Sequence, residues 1–275
     1  MKQLSLLALL CASGWLPAQS PVKTYDFRLR DKVGTTRTYD MKMALSLDMG
    51  GLLSGLVDAL QESFPAEGTE QEKRAHEQAA KETRAAMDEL KVAVFVAGTM
   101  VERTVSKKGD WFTRTIRYAN MNVSSPSMKG DEEITKNMRK EVREAMKPMT
   151  YYVHTDGTIK SPANGENPLG GFTSSDYLPP HPVTIGDTWI YRSAATGQSL
   201  DVAYTLTGIE SFRGMPAARI TMQEVDPAEG AQFYNSYMLL NPANGDVLHA
   251  RADIRLQMPG SVAPLGSLFL EYSLR

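Results

Sequence analysis

The most constraining feature of this chain is its alternation of side chains. From Ser199 to Thr207, Leu200, Val202, Tyr204 and Leu206 alternate with Ser199, Asp201, Ala203, Thr205 and Thr207. A helix cannot bury such a set on one face, whereas a strand with one wet and one dry side does so automatically. The segment therefore reads as a half-buried antiparallel strand. Tyr25 to Arg30, Thr36 to Leu47, Lys91 to Thr104, Trp111 to Val123, Tyr151 to His154, Thr188 to Ala194, Ala217 to Val225, Phe233 to Leu240, Val247 to Met258 and Leu268 to Leu274 follow the same rule less cleanly. Asp156-Gly157, Asn244-Gly245 and Lys108-Gly109-Asp110 supply residues that tolerate positive φ between such runs, and short turns make neighbouring strands antiparallel.

Three helical patterns interrupt the strands. Leu52, Leu53, Leu56, Val57, Leu60 and Phe64 form one apolar helix face opposite Ser54, Asp58, Gln61 and Glu62. Thr69 to Leu90 is charged almost all round, with a thin stripe of Ala75, Ala79, Met87 and Leu90. Asp131 to Met146 has Asp131 as N-cap and Ile134, Met138, Val142 and Met146 at four-residue spacing, and Pro148 ends it.

Residues 161–182 are rich in proline and glycine and read as a crossing loop. They separate a β module with inserted helices, 19–160, from an antiparallel meander, 183–275, the two expected to form one continuous domain. Tyr25 to Leu47 and Thr188 to Thr207 share a strand, glycine turn, long strand order, which hints at duplication; chance similarity between amphipathic hairpins is the preferred account.

The first 18 residues have the layout of a secretory signal peptide: Met1 and Lys2, an apolar run from Leu4 to Leu10, and Pro17-Ala18 before Gln19. Cys11 is the chain's one cysteine. Leu9 and Leu10 precede it, where a lipidated cysteine normally follows a small residue, so lipoprotein anchoring is not expected. Cleavage after Ala18 would remove the only thiol, and with it disulfides and cysteine chemistry. The expected address is periplasmic or extracellular, with no later run long enough to span a bilayer. A net charge of -2 and a pI near 6.1 give no reason to expect nucleic acid or an anionic membrane surface as a partner.

The run Leu178-Pro179-Pro180-His181-Pro182-Val183-Thr184-Ile185-Gly186-Asp187-Thr188-Trp189 opens the second half, which closes with Asn244-Gly245-Asp246 and a last strand ending Tyr272-Ser273-Leu274. Over residues 150–275 it resembles a group of uncharacterised exported bacterial proteins with a proline-valine, glycine-aspartate, tryptophan pattern. That group looks similar in architecture to envelope lipid-carrier half-barrels. The resemblance implies a curved antiparallel sheet with helices over one face, and no activity. In this run Pro182 and Gly186-Asp187 shape a tight approach to the strand, and Trp189 is expected to enter the core.

Catalytic and metal signatures are sparse. His76, His154, His181 and His249 lack ligand spacing, and His154 with Asp156 is at most half a ligand pair at a hairpin mouth. Gly51 to Gly55 reads G-L-L-S-G at a helix start and is no nucleophile elbow. Glu132-Glu133 and Glu141 with Glu144 lie on a lysine- and arginine-rich helix, as surface pairs do. Asn122-Val123-Ser124 matches a glycosylation sequon that carries no weight in a chain with a bacterial-type signal. No enzyme, cofactor or metal site is expected.

The composite expectation is a mainly β (α+β) fold: a curved sheet or half-barrel with meander connections, covered on one face by helices. It would hold an apolar small molecule beneath a lid formed by Leu52, Leu53, Leu56, Val57, Leu60 and Phe64. The alternative is a structural or protein-interaction module of the cell envelope with no ligand cavity.

Overall fold

The computed structural model describes residues 23–48, 78, 81, 91–126, 132–160, 177–193, 200–225, 231–257 and 264–275. Its strands are β1 (Thr36–Asp48), β2 (Lys91–Lys108), β3 (Trp111–Ser124), β4 (Met149–His154), β5 (Ile159–Lys160), β6 (Thr188–Ser193), β7 (Leu200–Phe212), β8 (Met215–Glu224), β9 (Ala231–Leu240), β10 (Val247–Gln257) and β11 (Pro264–Leu274). A helix, α1 (Glu132–Ala145), links β3 to β4. All eleven strands join one antiparallel sheet in the order β5-β4-β3-β2-β1-β11-β10-β9-β8-β7-β6. It is two meanders joined along β1 and β11, which pair from Tyr39 with Leu274 to Leu47 with Gly266.

Alternation decides the faces. Arg37, Tyr39, Met41 and Met43 of β1 share one side, while Asp40 and Lys42 point the other way. Where the sequence alternates poorly, the pairing shifts. β3 turns Phe112, Arg114, Ile116 and Tyr118 inward, then resumes with Met121 and Val123, because the residues around Asn120 form a bulge with φ 53° at that asparagine. Asn235, φ 45°, sits at the equivalent irregularity of β9. Asparagine tolerates the left-handed region, and bulges bend a sheet.

The expected strand from Tyr25 to Arg30 is instead an extended strap crossing the inner face. Tyr25 exchanges both backbone hydrogen bonds with Val183, just ahead of β6, at 2.7 and 2.9 Å. Leu29 donates its amide to the Thr155 carbonyl, just past β4, at 2.8 Å. Four residues of extended chain reach about 14 Å, whereas eleven strands laid flat would span roughly 48 Å. The sheet therefore curls until its two edges approach each other across the strap, although β5 and β6 do not pair and it stays open.

One core results. Tyr25, Phe27 and Leu29 of the strap pack with Phe112 and Val153 from one edge region and with Trp189, Val202 and Leu206 from the other. Gly245, at φ 71°, lies against the strap backbone, where a Cβ would touch Arg28 at 3.4 Å.

Expectation and structure differ over the helices. A cover of helices over one face is not supported: among the described residues α1 alone docks on the sheet, at one corner, where Val142 and Met146 meet Met41, Val96 and Val123. The lid segment Leu52 to Phe64 lies outside the described residues, and of Thr69 to Leu90 only Gln78 and Lys81 are described, both helical.

The strap makes a direct prediction. Phe27→Ala, at a side chain 2% exposed, should lower unfolding free energy by about 3–5 kcal/mol in urea titrations. Phe95→Ala, 45% exposed on the convex face, should cost less than about 1 kcal/mol. Equal effects would show that the strap is not part of the core.

Candidate functional site

Cross-strand register stacks the inner face into layers. At the end where the strap crosses, Arg37 faces Glu102 and Ile116, with Thr104, Arg114 and Tyr151 aligned beside them. Next come Tyr118, Met100, Tyr39 and Leu274, then Met41, Tyr272, Ala250, Met238, Ile220 and Leu206. Toward the rim away from the strap, Val94, Leu45, Leu268, Ile254 and Phe233 form a wholly apolar row, one layer short of Val92, Leu47, Gly266, Leu256 and Ala231. Of the first five, Ile254 is buried and the other four only half-buried. Polarity thus runs along the concavity, from charged at the strapped end to aliphatic at the far rim.

The charged layer is one connected network, in which buried Arg114 Nε has no hydrogen-bond partner among the described residues. Asp31, whose side chain is fully buried, accepts hydrogen bonds from Arg37, from Arg114 at 2.5 Å and from Thr104 at 2.7 Å. Arg37 also donates to Asp246 at 2.6 and 2.7 Å and lies 3.6 Å from Glu102. Glu102 accepts from the Tyr151 hydroxyl and from Arg114 at 3.4 Å. Strap, β1, β2, β3, β4 and the β9–β10 turn are thereby joined through two guanidiniums and three carboxylates.

The two aspartates on Arg37 are driven in opposite directions. Burial by itself would raise Asp31, but the hydrogen bonds from Arg37 and Thr104 and the charge of Arg114 outweigh it, so its carboxyl is held below the ordinary value. Asp246 is raised, because burial dominates and Arg37 offsets it only in part, with Asp31 nearby adding repulsion. Arg37 and Arg114 are raised despite burial, by these same carboxylates. Tyr151 and Tyr39 are pushed up first by burial and then by the Glu102 charge. Among the described residues the network offers no free nucleophile: its charges answer one another. Tyr118 is separate. Its buried hydroxyl has no hydrogen-bond partner among the described residues, and burial alone pushes it up to about 12.

Residues singled out in the sequence do not converge. His154 Nδ1 lies 2.8 Å from Asp156 and beside the Trp111 ring at the hairpin mouth. His249 sits on the opposite, convex face, between the rings of Phe212 and Tyr237, and burial lowers its pKa. His181 is exposed, and His76 and Gly51 to Gly55 lie outside the described residues. No group of three potential metal ligands occurs among the described residues. Glu141 and Glu144 are exposed on α1, and Glu144 pairs with Lys147.

The proline-valine, glycine-aspartate, tryptophan run is structural. Val183 holds the strap and Gly186 takes φ 100°. Asp187 accepts from the Thr184 amide at 2.7 Å, and Trp189 is buried with its indole donating to the Tyr177 carbonyl at 2.9 Å.

No family model matches the chain, so its resemblance to an exported family has no support from one, and no curated protein matches it. Among solved structures it is similar to one described as "lipid-protein interactions in lipovitellin", with 11% identity and a TM-score of 0.45 over 90% of this chain. The chain spans 25% of that structure's length.

Acid stability should separate the two aspartates. Asp31, depressed, adds stability above the unfolded carboxylate value, 3.8, that is lost as pH falls through its lower folded value. Asp246, raised, contributes below 3.8 and loses that contribution as pH rises through its higher folded value. At pH 7 Asp31→Asn should therefore cost about 3–5 kcal/mol, and Asp246→Asn less than about 1 kcal/mol. Measured by urea unfolding across pH, the acid-induced loss below 3.8 should flatten in the first variant, whereas in the second the stabilisation gained as pH falls through the raised Asp246 value toward 3.8 should disappear.

Proposed function

We propose that this protein is a non-enzymatic, exported module that holds an apolar ligand against the concave face of its curved sheet. The observation that carries the reading is the row Val94, Leu45, Leu268, Ile254 and Phe233, apolar across five adjacent strands yet only half-buried at four positions. Such a surface left to water is costly, at about 25 cal/mol per Å². The charged layer at the strapped end supports the reading too, because its groups are committed to one another and leave the far end uniformly apolar. Leu52, Leu53, Leu56, Val57, Leu60 and Phe64 would form the lid over this row. They belong to the connection between β1 and β2, whose ends, Asp48 and Lys91, face each other at the same rim.

Native mass spectrometry of protein purified from the envelope of its own cells tests this directly. A mass excess that vanishes on denaturation, with an extractable lipid or other apolar molecule, is expected. Nothing co-purifying, together with no uptake of a fluorescent apolar probe, would favour an interaction module without a ligand. Leu45→Ser with Leu268→Ser should weaken probe binding at least tenfold, and Leu56→Asp with Leu60→Asp should speed release. Deleting residues 1–18 tests the address, since continued export would contradict it.

A further inference from the structure

Helix α1 carries an arrangement of charge that whole-chain composition conceals. Lys136, Arg139, Lys140 and Arg143 occupy i, i+3, i+4 and i+7, which at 100° per residue places them within about 100° of arc. All four are exposed. With Asn137 and Glu144 they line a concavity of about 510 Å³. Among the described residues no carboxylate lies within salt-bridge distance of Lys136, Lys140 or Arg143. The nearby Glu144 pairs with Lys147, and Arg139 is turned toward the Val123 carbonyl at 3.4 Å.

On the convex sheet face several cations are paired. There Lys42 meets Glu271, Arg219 meets Glu210, Arg251 meets Asp253, and Arg275 meets Asp40. Arg103 and Arg117, exposed on the same face, have no ion pair among the described residues, so what sets α1 apart is the grouping of four exposed cations on one stripe, with Glu144 near Lys140 as its one lining carboxylate.

The position of the helix adds the second element. Val142 and Met146 seat α1 on Met41, Val96 and Val123, so its basic stripe stands beside the apolar end of the concavity, away from the strap. We propose that α1 docks the protein onto an anionic lipid surface. A bilayer of that kind complements both features at once, with acidic headgroups for the stripe and hydrocarbon beside the apolar rim. A free phosphate would answer the charge alone. The inference goes beyond the ligand reading and stands without it, since docking needs no molecule inside the sheet.

Co-sedimentation of the lipid-stripped protein with vesicles tests it. Binding is expected to phosphatidylcholine vesicles containing phosphatidylglycerol, not to phosphatidylcholine alone, and should fall as salt rises. Lys136→Glu with Lys140→Glu and Arg143→Glu should lower partitioning at least about tenfold. The neutral Gln triple variant should fall between, with unchanged circular dichroism in both. Equal binding to the two vesicle types, no binding by the unaltered protein, or full binding by the folded Glu variant would overturn the proposal. So would saturable binding of inorganic phosphate without vesicle binding, which would make the stripe a small-anion site. Failure to find an interior ligand leaves these outcomes unchanged.

Discussion

Arg37 is the joint on which the remaining structure depends. Its guanidinium touches a carboxylate from the strap, one from β2 and one from the β9–β10 turn, three segments far apart in sequence. Ion pairs this deeply buried add little net stability over an apolar equivalent, because desolvation consumes most of the Coulombic gain. What they enforce is placement. A strap shifted by one residue would leave two guanidiniums and three carboxylates facing one another out of reach, at a cost of several kcal/mol for each unpaired charge. The strap therefore has one position, and the sheet curls to match it.

Curvature and polarity follow together. Holding the two edges within reach of five residues turns the common face of eleven strands inward and makes it the core. Charge gathers where the strap crosses, aromatic and methionine side chains occupy the middle layers, and aliphatic side chains are left toward the opposite rim. That gradient turns a folded sheet into a candidate receptor, and places α1, with its basic stripe, at the apolar side of the molecule.

Much of the sheet was legible in the sequence, because alternation and turn chemistry are local. β1, β3, β7 and β11 lie close to the runs that period-two reading marks, and Gly109, Gly157 and Gly245 take the positive φ their turns require. The strap was misread as a strand, since Tyr25, Phe27 and Leu29 alternate just as strand residues do. The charge network was missed, though it left a trace. Arg37, Glu102 and Arg114 occupy positions whose parity matches Tyr39, Met100 and Ile116, so charged residues stood where buried ones belonged. Their partners could not be read locally: Asp246 is 209 residues from Arg37. The order of strands, with β1 beside β11, is equally non-local.

The distance between the sheet edges tests the central claim most directly. Spin labels at Tyr152→Cys on β4 and Ile190→Cys on β6, both exposed sites, with Cys11 replaced by Ser, would be read by pulsed dipolar spectroscopy. A curled sheet held by the strap predicts a narrow distribution well short of the roughly 43 Å that nine flat strand spacings would give. It also predicts that Arg37→Met broadens that distribution and moves it outward. A distribution centred at or beyond roughly 43 Å in the unaltered background would contradict the account.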